Sequence, residues 1–83
     1  MRGFTEYTLF LLKMESELLK SREVCIELHE GIYEYKYEII AELFNEGYID
    51  GYAPNEGPVF CCTLSDKAMA DPLLIGPKGE QTK

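Results

Sequence analysis

Glutamate recurs every fourth residue through the middle of the chain, at Glu30, Glu34, Glu38, Glu42 and Glu46, with Asp50 continuing the series. On an α-helix that interval places the carboxylates along one side. Like charges four apart cost about 0.2–0.5 kcal/mol per pair, and those nearest the C-terminus also oppose the helix dipole. The chemistry of such a ridge is electrostatic: it suits a partner that brings positive side chains. From Glu15 to Glu56 there are eleven acidic residues, answered only by Lys20, Arg22 and Lys36. A solvated helix face is the plain alternative, since Glu is a good helix former. Against it, a helix that is merely soluble commonly interleaves Lys or Arg four residues on.

The other reactive residue types point away from catalysis. Cys25, Cys61 and Cys62 are odd in number and lack C-x-x-C spacing, and the adjacent pair would face opposite ways in a strand. They are expected to be buried free thiols, neither a disulfide framework nor a zinc site. His29 is the single histidine, with no positioned partner, and is expected at a helix end facing the C-terminal dipole. Gly47 to Gly51 carries no phosphate-loop pattern. Tyr33, Tyr35, Tyr37, Tyr48 and Tyr52 lie beside glutamates, not beside the cations a base-stacking platform needs. Tyr33 and Tyr37 are expected in the core and Tyr35 at the surface. The expectation is a non-enzymatic protein without metal or cofactor.

Eighty-three residues make one domain, and a chain this short buries only about 60–65% of its unfolded surface, leaving little room for an internal pocket. Its 46% hydrophobic content, with six Tyr and four Phe, places it among globular chains rather than disordered ones. The net charge of -7 is the wrong sign for neutralising phosphates. No stretch approaches 18 apolar residues, so a soluble, cytoplasmic protein is expected.

The elements that must position these residues follow from spacing. Phe4, Tyr7, Phe10, Leu11, Met14 and Leu18 predict a first helix from Phe4 to Leu19 with Thr5 as N-cap. Leu9, Leu12 and Leu19 fall outside that stripe, so a second contact, a homodimer through this helix, is an expectation. Ser21 is read as the cap of a second helix from Arg22 to His29, ended by Gly31. A third runs from Tyr33 to Glu46, with Tyr33, Tyr37, Ile40, Leu43 and Phe44 inward and Gly47 as its stop. Lys36, its only cation, falls towards the buried side. Tyr48–Ala53 and Val59–Leu64 read as a hairpin with a rigid tip from Pro54 to Pro58. Ser65 can cap a last turn through Ala70, before Pro72. Residues 1–74 form the domain, and 75–83 a disordered tail.

Three helices followed by a two-stranded hairpin resemble a winged helix-turn-helix domain, an α+β fold that is mainly α. The segment Ala41-Glu42-Leu43-Phe44-Asn45-Glu46-Gly47-Tyr48-Ile49 is similar to the family's recognition-helix end, L-x-x-x-G-(Y/L/F)-(I/V). Leu64-Ser65-Asp66-Lys67-Ala68 is similar to the L-T-x-K-G step after the wing, with Ala68 where Gly is usual. The resemblance implies that the third helix and wing form the contact surface. It would bring Glu34, Tyr35, Glu38, Glu42, Asn45, Glu46 and, at the wing tip, Asn55 and Glu56 to a partner. That set contains no Arg or Lys, so the expected partner is a basic, nucleic-acid-binding protein surface, with Tyr35, Tyr48 or Tyr52 as aromatic anchors. The alternative is a DNA-binding transcriptional regulator, in which a dimer places Arg2, Lys13, Lys20 and Arg22 towards phosphate. Small acidic regulators and inhibitors of this design resemble products of phages and other mobile elements.

Overall fold

Along Val59–Leu64, Phe60, Cys62 and Leu64 are buried while Val59, Cys61 and Thr63 are at least partly accessible. This period of two is that of a strand with one face on a core. It is the middle strand of a three-stranded antiparallel sheet in the computed structural model, which describes residues 3–53 and 57–70. In chain order the elements are α1 (Gly3–Leu19), β1 (Glu23–Glu27), α2 (Glu30–Tyr33), α3 (Lys36–Asn45), β2 (Ile49–Tyr52), β3 (Val59–Leu64) and α4 (Asp66–Ala70). The sheet order is β1-β3-β2. The core lies between one sheet face and the helices: Leu9 and Leu12 of α1, and Ile39, Ile40 and Leu43 of α3, meet Val24, Ile49, Phe60, Cys62 and Leu64. The architecture is therefore a small α+β fold with four helices among the described residues, richer in helix than in strand.

The expected hairpin is present as β2 and β3. Ile49 pairs with Leu64 and Gly51 with Thr63, so Asp50 is an extra residue that bulges β2. The helix before it stops where expected. Gly47 has φ +80, Gly47 N–H donates to Phe44 O and Tyr48 N–H to Leu43 O. These are the two bonds of a Schellman ending, for which glycine alone carries no steric cost. Ser65 also caps α4 as expected, its Oγ accepting from Ala68 N–H at 3.3 Å.

Arg22–His29 is a correction: a strand stands where a helix was expected. Glu23 to Glu27 pair with Thr63 to Val59, turning Val24 and Ile26 inward and Cys25 outward. Eight residues of mixed propensity gain more from a full ladder on β3 than from a short helix. Ser21 consequently caps no helix; its Oγ accepts from Glu23 N–H at 3.1 Å at the strand entrance. The expected third helix starts three residues late, and a short helix that was not expected precedes it, with Gly31 inside it instead of ending a run. α2 ends at Tyr33 and α3 begins at Lys36, with Tyr35 at φ -101, ψ 16 between them. His29 is the N-cap residue of α2, not the C-terminal end of a helix, and packs beside Tyr7.

The stripe assigned to the α1 core is turned outward in part, although Phe4 still packs against the core. The buried residues of α1 are Thr5, Thr8, Leu9, Leu12, Lys13 and Ser16, whereas Tyr7, Met14 and Leu18 are exposed. Thr5 is an interior helical residue, not a cap, and its hydroxyl donates to Glu42 Oε1. Thr8 Oγ1 donates to Phe4 O at 2.7 Å and Ser16 Oγ to Ser21 O at 2.6 Å. Each buried hydroxyl has an acceptor, which is what allows a polar side to be turned inward. Pro54, Asn55, Glu56, Pro72 and the tail from Ile75 lie outside the described residues.

Candidate interaction face

α3 is ten residues long, and Lys36, Ile39, Ile40 and Leu43 form its buried side. Lys36 is only 4% exposed, and its ammonium donates to Gly57 O at 3.0 Å and Val59 O at 2.9 Å. The one cation of the helix, expected on the buried side, is thus spent joining α3 to the start of β3. Lys36→Met keeps the aliphatic stem and removes the charge. It should cost about 1–3 kcal/mol in urea unfolding, because two carbonyls lose a charged donor while water can reach Gly57 and Val59 in part. Unchanged stability would show that the two bonds contribute nothing.

With Lys36 inside, the helix turns a different surface outward from the one expected. Tyr37 is 70% exposed, and Tyr33 and Phe44, also assigned to the core, are exposed too. Ala41 is exposed between them. Phe44 meets the exposed Tyr52 of β2 edge to face, with ring centroids 5.8 Å apart. Tyr37, Ala41 and Phe44 follow four- and three-residue spacing on one helix side. At the N-terminal end of this stripe, Tyr33, Glu34, Lys36, Tyr37 and Gly57 line an open cleft of about 380 Å³.

The carboxylates are distributed differently from a continuous ridge. Glu30 belongs to α2, Glu34 sits in the turn before α3, and Glu38 is on α3, all exposed. Glu42 is half-buried and takes the Thr5 hydroxyl, so it faces α1. Glu46 and Asn45 are exposed at the C-terminal end, where Lys67 Nζ donates to Glu46 O and lies 4.5 Å from the Tyr48 ring centroid. Tyr35 stacks on Phe4, with centroids 4.7 Å apart, which occupies one face of its ring. Of the expected contact set, Glu34, Glu38, Asn45 and Glu46 thus border the aromatic stripe, Tyr35 and Glu42 are turned towards α1, and Glu56 lies outside the described residues. Sequence reasoning missed Tyr37 and Phe44. Their signal was the alternative stripe Lys36, Ile39, Ile40 and Leu43, which requires the burial of a lysine.

Among the described residues Lys20 is exposed, while three other cations are already engaged or buried. Arg22 is paired with Asp66 at 2.6 Å, Lys13 is buried, and Lys67 is engaged as described. Among the described residues no three of His, Cys, Asp and Glu converge as metal ligands would. The thiols correct another expectation: Cys25 and Cys61, directly opposite in the β1–β3 register, form a disulfide on the outer face of the sheet. The spacing argument missed it because the pairing depends on a strand at Glu23–Glu27 that the sequence did not suggest. Cys62 faces the core as a free thiol, and burial pushes it up to about 12, so it stays protonated. Among the described residues no helix is long and apolar enough to cross a membrane.

No protein-family model, curated protein or solved structure matches the chain. The fold and face define it as a small acidic α+β protein.

Proposed function

We propose that this is a non-enzymatic binding module of winged-helix type, which uses α3 and the adjoining hairpin to engage a basic surface on a nucleic-acid-binding protein. Support for the winged-helix reading comes from the element order α1-β1-α2-α3-β2-β3 and from β1 completing the sheet on the far side of β3. The observation that carries the functional reading is the outward side of α3. It presents Tyr37, Ala41 and Phe44 bordered by Glu34, Glu38 and Glu46, while its single cation is buried. Aromatic anchors supply most of an interface's energy, and charges at the rim set orientation and encounter rate. A partner bound there would be regulated by occlusion, in the manner of an inhibitor. Cytoplasmic residence belongs to the same reading; the Cys25–Cys61 bond weighs on the other side, since such bonds are rare in reducing compartments.

Fluorescence anisotropy with two labelled probes tests the proposal: an arginine-rich peptide carrying interspersed leucines, and a random 20-base-pair duplex. The peptide should bind more tightly as salt falls, and Tyr37→Ala with Phe44→Ala should weaken it at least tenfold while the circular dichroism stays unchanged. Duplex binding in the micromolar range with a steep salt dependence, and no peptide binding, would favour the DNA-binding regulator instead. Glu42→Lys is unsuitable as a test because Glu42 helps seat α1.

A further inference from the structure

From the polarity of α1 we infer a second surface, separate from the α3 face: an antiparallel homodimer through the outer side of α1. A surface helix ordinarily turns its apolar side to the core and its polar side to water. Here the core side holds Thr5, Thr8, Lys13 and Ser16 beside Leu9 and Leu12, and the far side holds the exposed Met14 and Leu18, the half-buried Leu11, and Tyr7, which lies beside His29. Leu18 is 75% exposed, and its neighbour Leu19 is exposed as well. The four outer residues are spaced four, three and four apart, the interval at which one helix meets another along a seam.

Charge selects the occupant and its direction. The outer side is flanked by Glu6, Glu15 and Glu17, and Lys20 follows at the helix end. Two parallel copies would bring each glutamate beside its own counterpart, which is destabilising. Antiparallel copies with Leu11 set against Met14 bring Tyr7 against Leu18. In that register Lys20 of each copy falls within one residue of the other's Glu6, and neither Glu15 nor Glu17 falls level with a glutamate of the other copy. The pairing is isologous, so both ends of the contact gain the same Glu6–Lys20 attraction. The two helix dipoles also oppose each other, which places unlike ends together. A seam about 17 Å long from Tyr7 to Leu18 lies at the small end of specific interfaces, so a weak, concentration-dependent dimer is expected.

Sedimentation equilibrium of the full chain between about 5 and 500 µM reads this directly. The wild type should show a monomer–dimer equilibrium. Met14→Glu and Leu18→Glu, both at exposed positions, should weaken it at least tenfold with an unchanged circular dichroism spectrum. Glu6→Lys alone should weaken it about two- to tenfold, and Glu6→Lys combined with Lys20→Glu should restore it. A monomer at every concentration would overturn the proposal, leaving the stripe to residues 71–83 or to another protein. Glu6→Lys strengthening the dimer would overturn the antiparallel pairing. Tyr37→Ala should leave dimerisation unchanged, since that face is separate, so either surface can fail without the other.

Discussion

Phe60→Ala is expected to leave the protein only marginally folded. Phe60 has no exposed surface, sits on the central strand and lies within the cluster formed with Leu12, Ile39, Leu43 and Leu64, all of which are likewise fully enclosed. Truncating a phenylalanine so placed removes its transfer energy and leaves a cavity, typically costing about 3–5 kcal/mol. Small domains hold about 5–15 kcal/mol in total, and a chain of this length belongs towards the lower end. Collapse of the neighbours cannot recover much, because β3 is hydrogen-bonded on both sides by β1 and β2 and cannot shift alone. Urea unfolding followed by far-ultraviolet circular dichroism measures the loss. A cost below about 1 kcal/mol would mean that the interior closes around the gap and that the core is less rigidly packed than the geometry requires.

Reduction of Cys25–Cys61 should be the next largest effect. The two residues are 36 positions apart, and closing a loop of that length in the unfolded chain restricts it by an amount equivalent to about 3–4 kcal/mol in the chain-entropy account. Cys25 is exposed and Cys61 partly so, giving a reductant access, whereas Cys62 is buried and its thiol remains neutral. For a domain of this size the melting temperature should fall by roughly 15–25 °C in the presence of a phosphine reductant. Cys25→Ser with Cys61→Ser should reproduce the fall and make the melting curve insensitive to reductant. Identical melting with and without reductant in the wild type would show that the bond constrains nothing.

Local chemistry was legible in the sequence where it decides the backbone by itself. Gly47 ends α3 because its φ suits glycine, Ser65 caps α4, and the change to alternating residues after Gly47 marks β2 and β3. What was not legible depended on distant partners. Glu23–Glu27 is a strand because β3 offers it a ladder, and that also decides the disulfide. The α3 face was turned wrongly through Tyr37 and Phe44. Large aromatics weigh more in an apolar stripe than the smaller Ile39 does, and a buried Lys36 is acceptable only once Gly57 O and Val59 O lie within reach. The same holds for α1: nothing local announces that Thr5 will find Glu42, 37 residues on. The acidic ridge was half-legible, since its charges are real but the break at Tyr35 divides them between two helices and a turn.

The cross-strand bond also sets how the molecule answers a pull. Cys25 and Cys61 bracket α2, α3 and β2, so tension applied through α1 and α4 passes across the sulfur bridge and bypasses everything between. α1 and α4 can be peeled away under load while the aromatic helix carries none of it. Stretching would therefore strip this protein from its flanks inward and leave the segment between the two sulfurs slack.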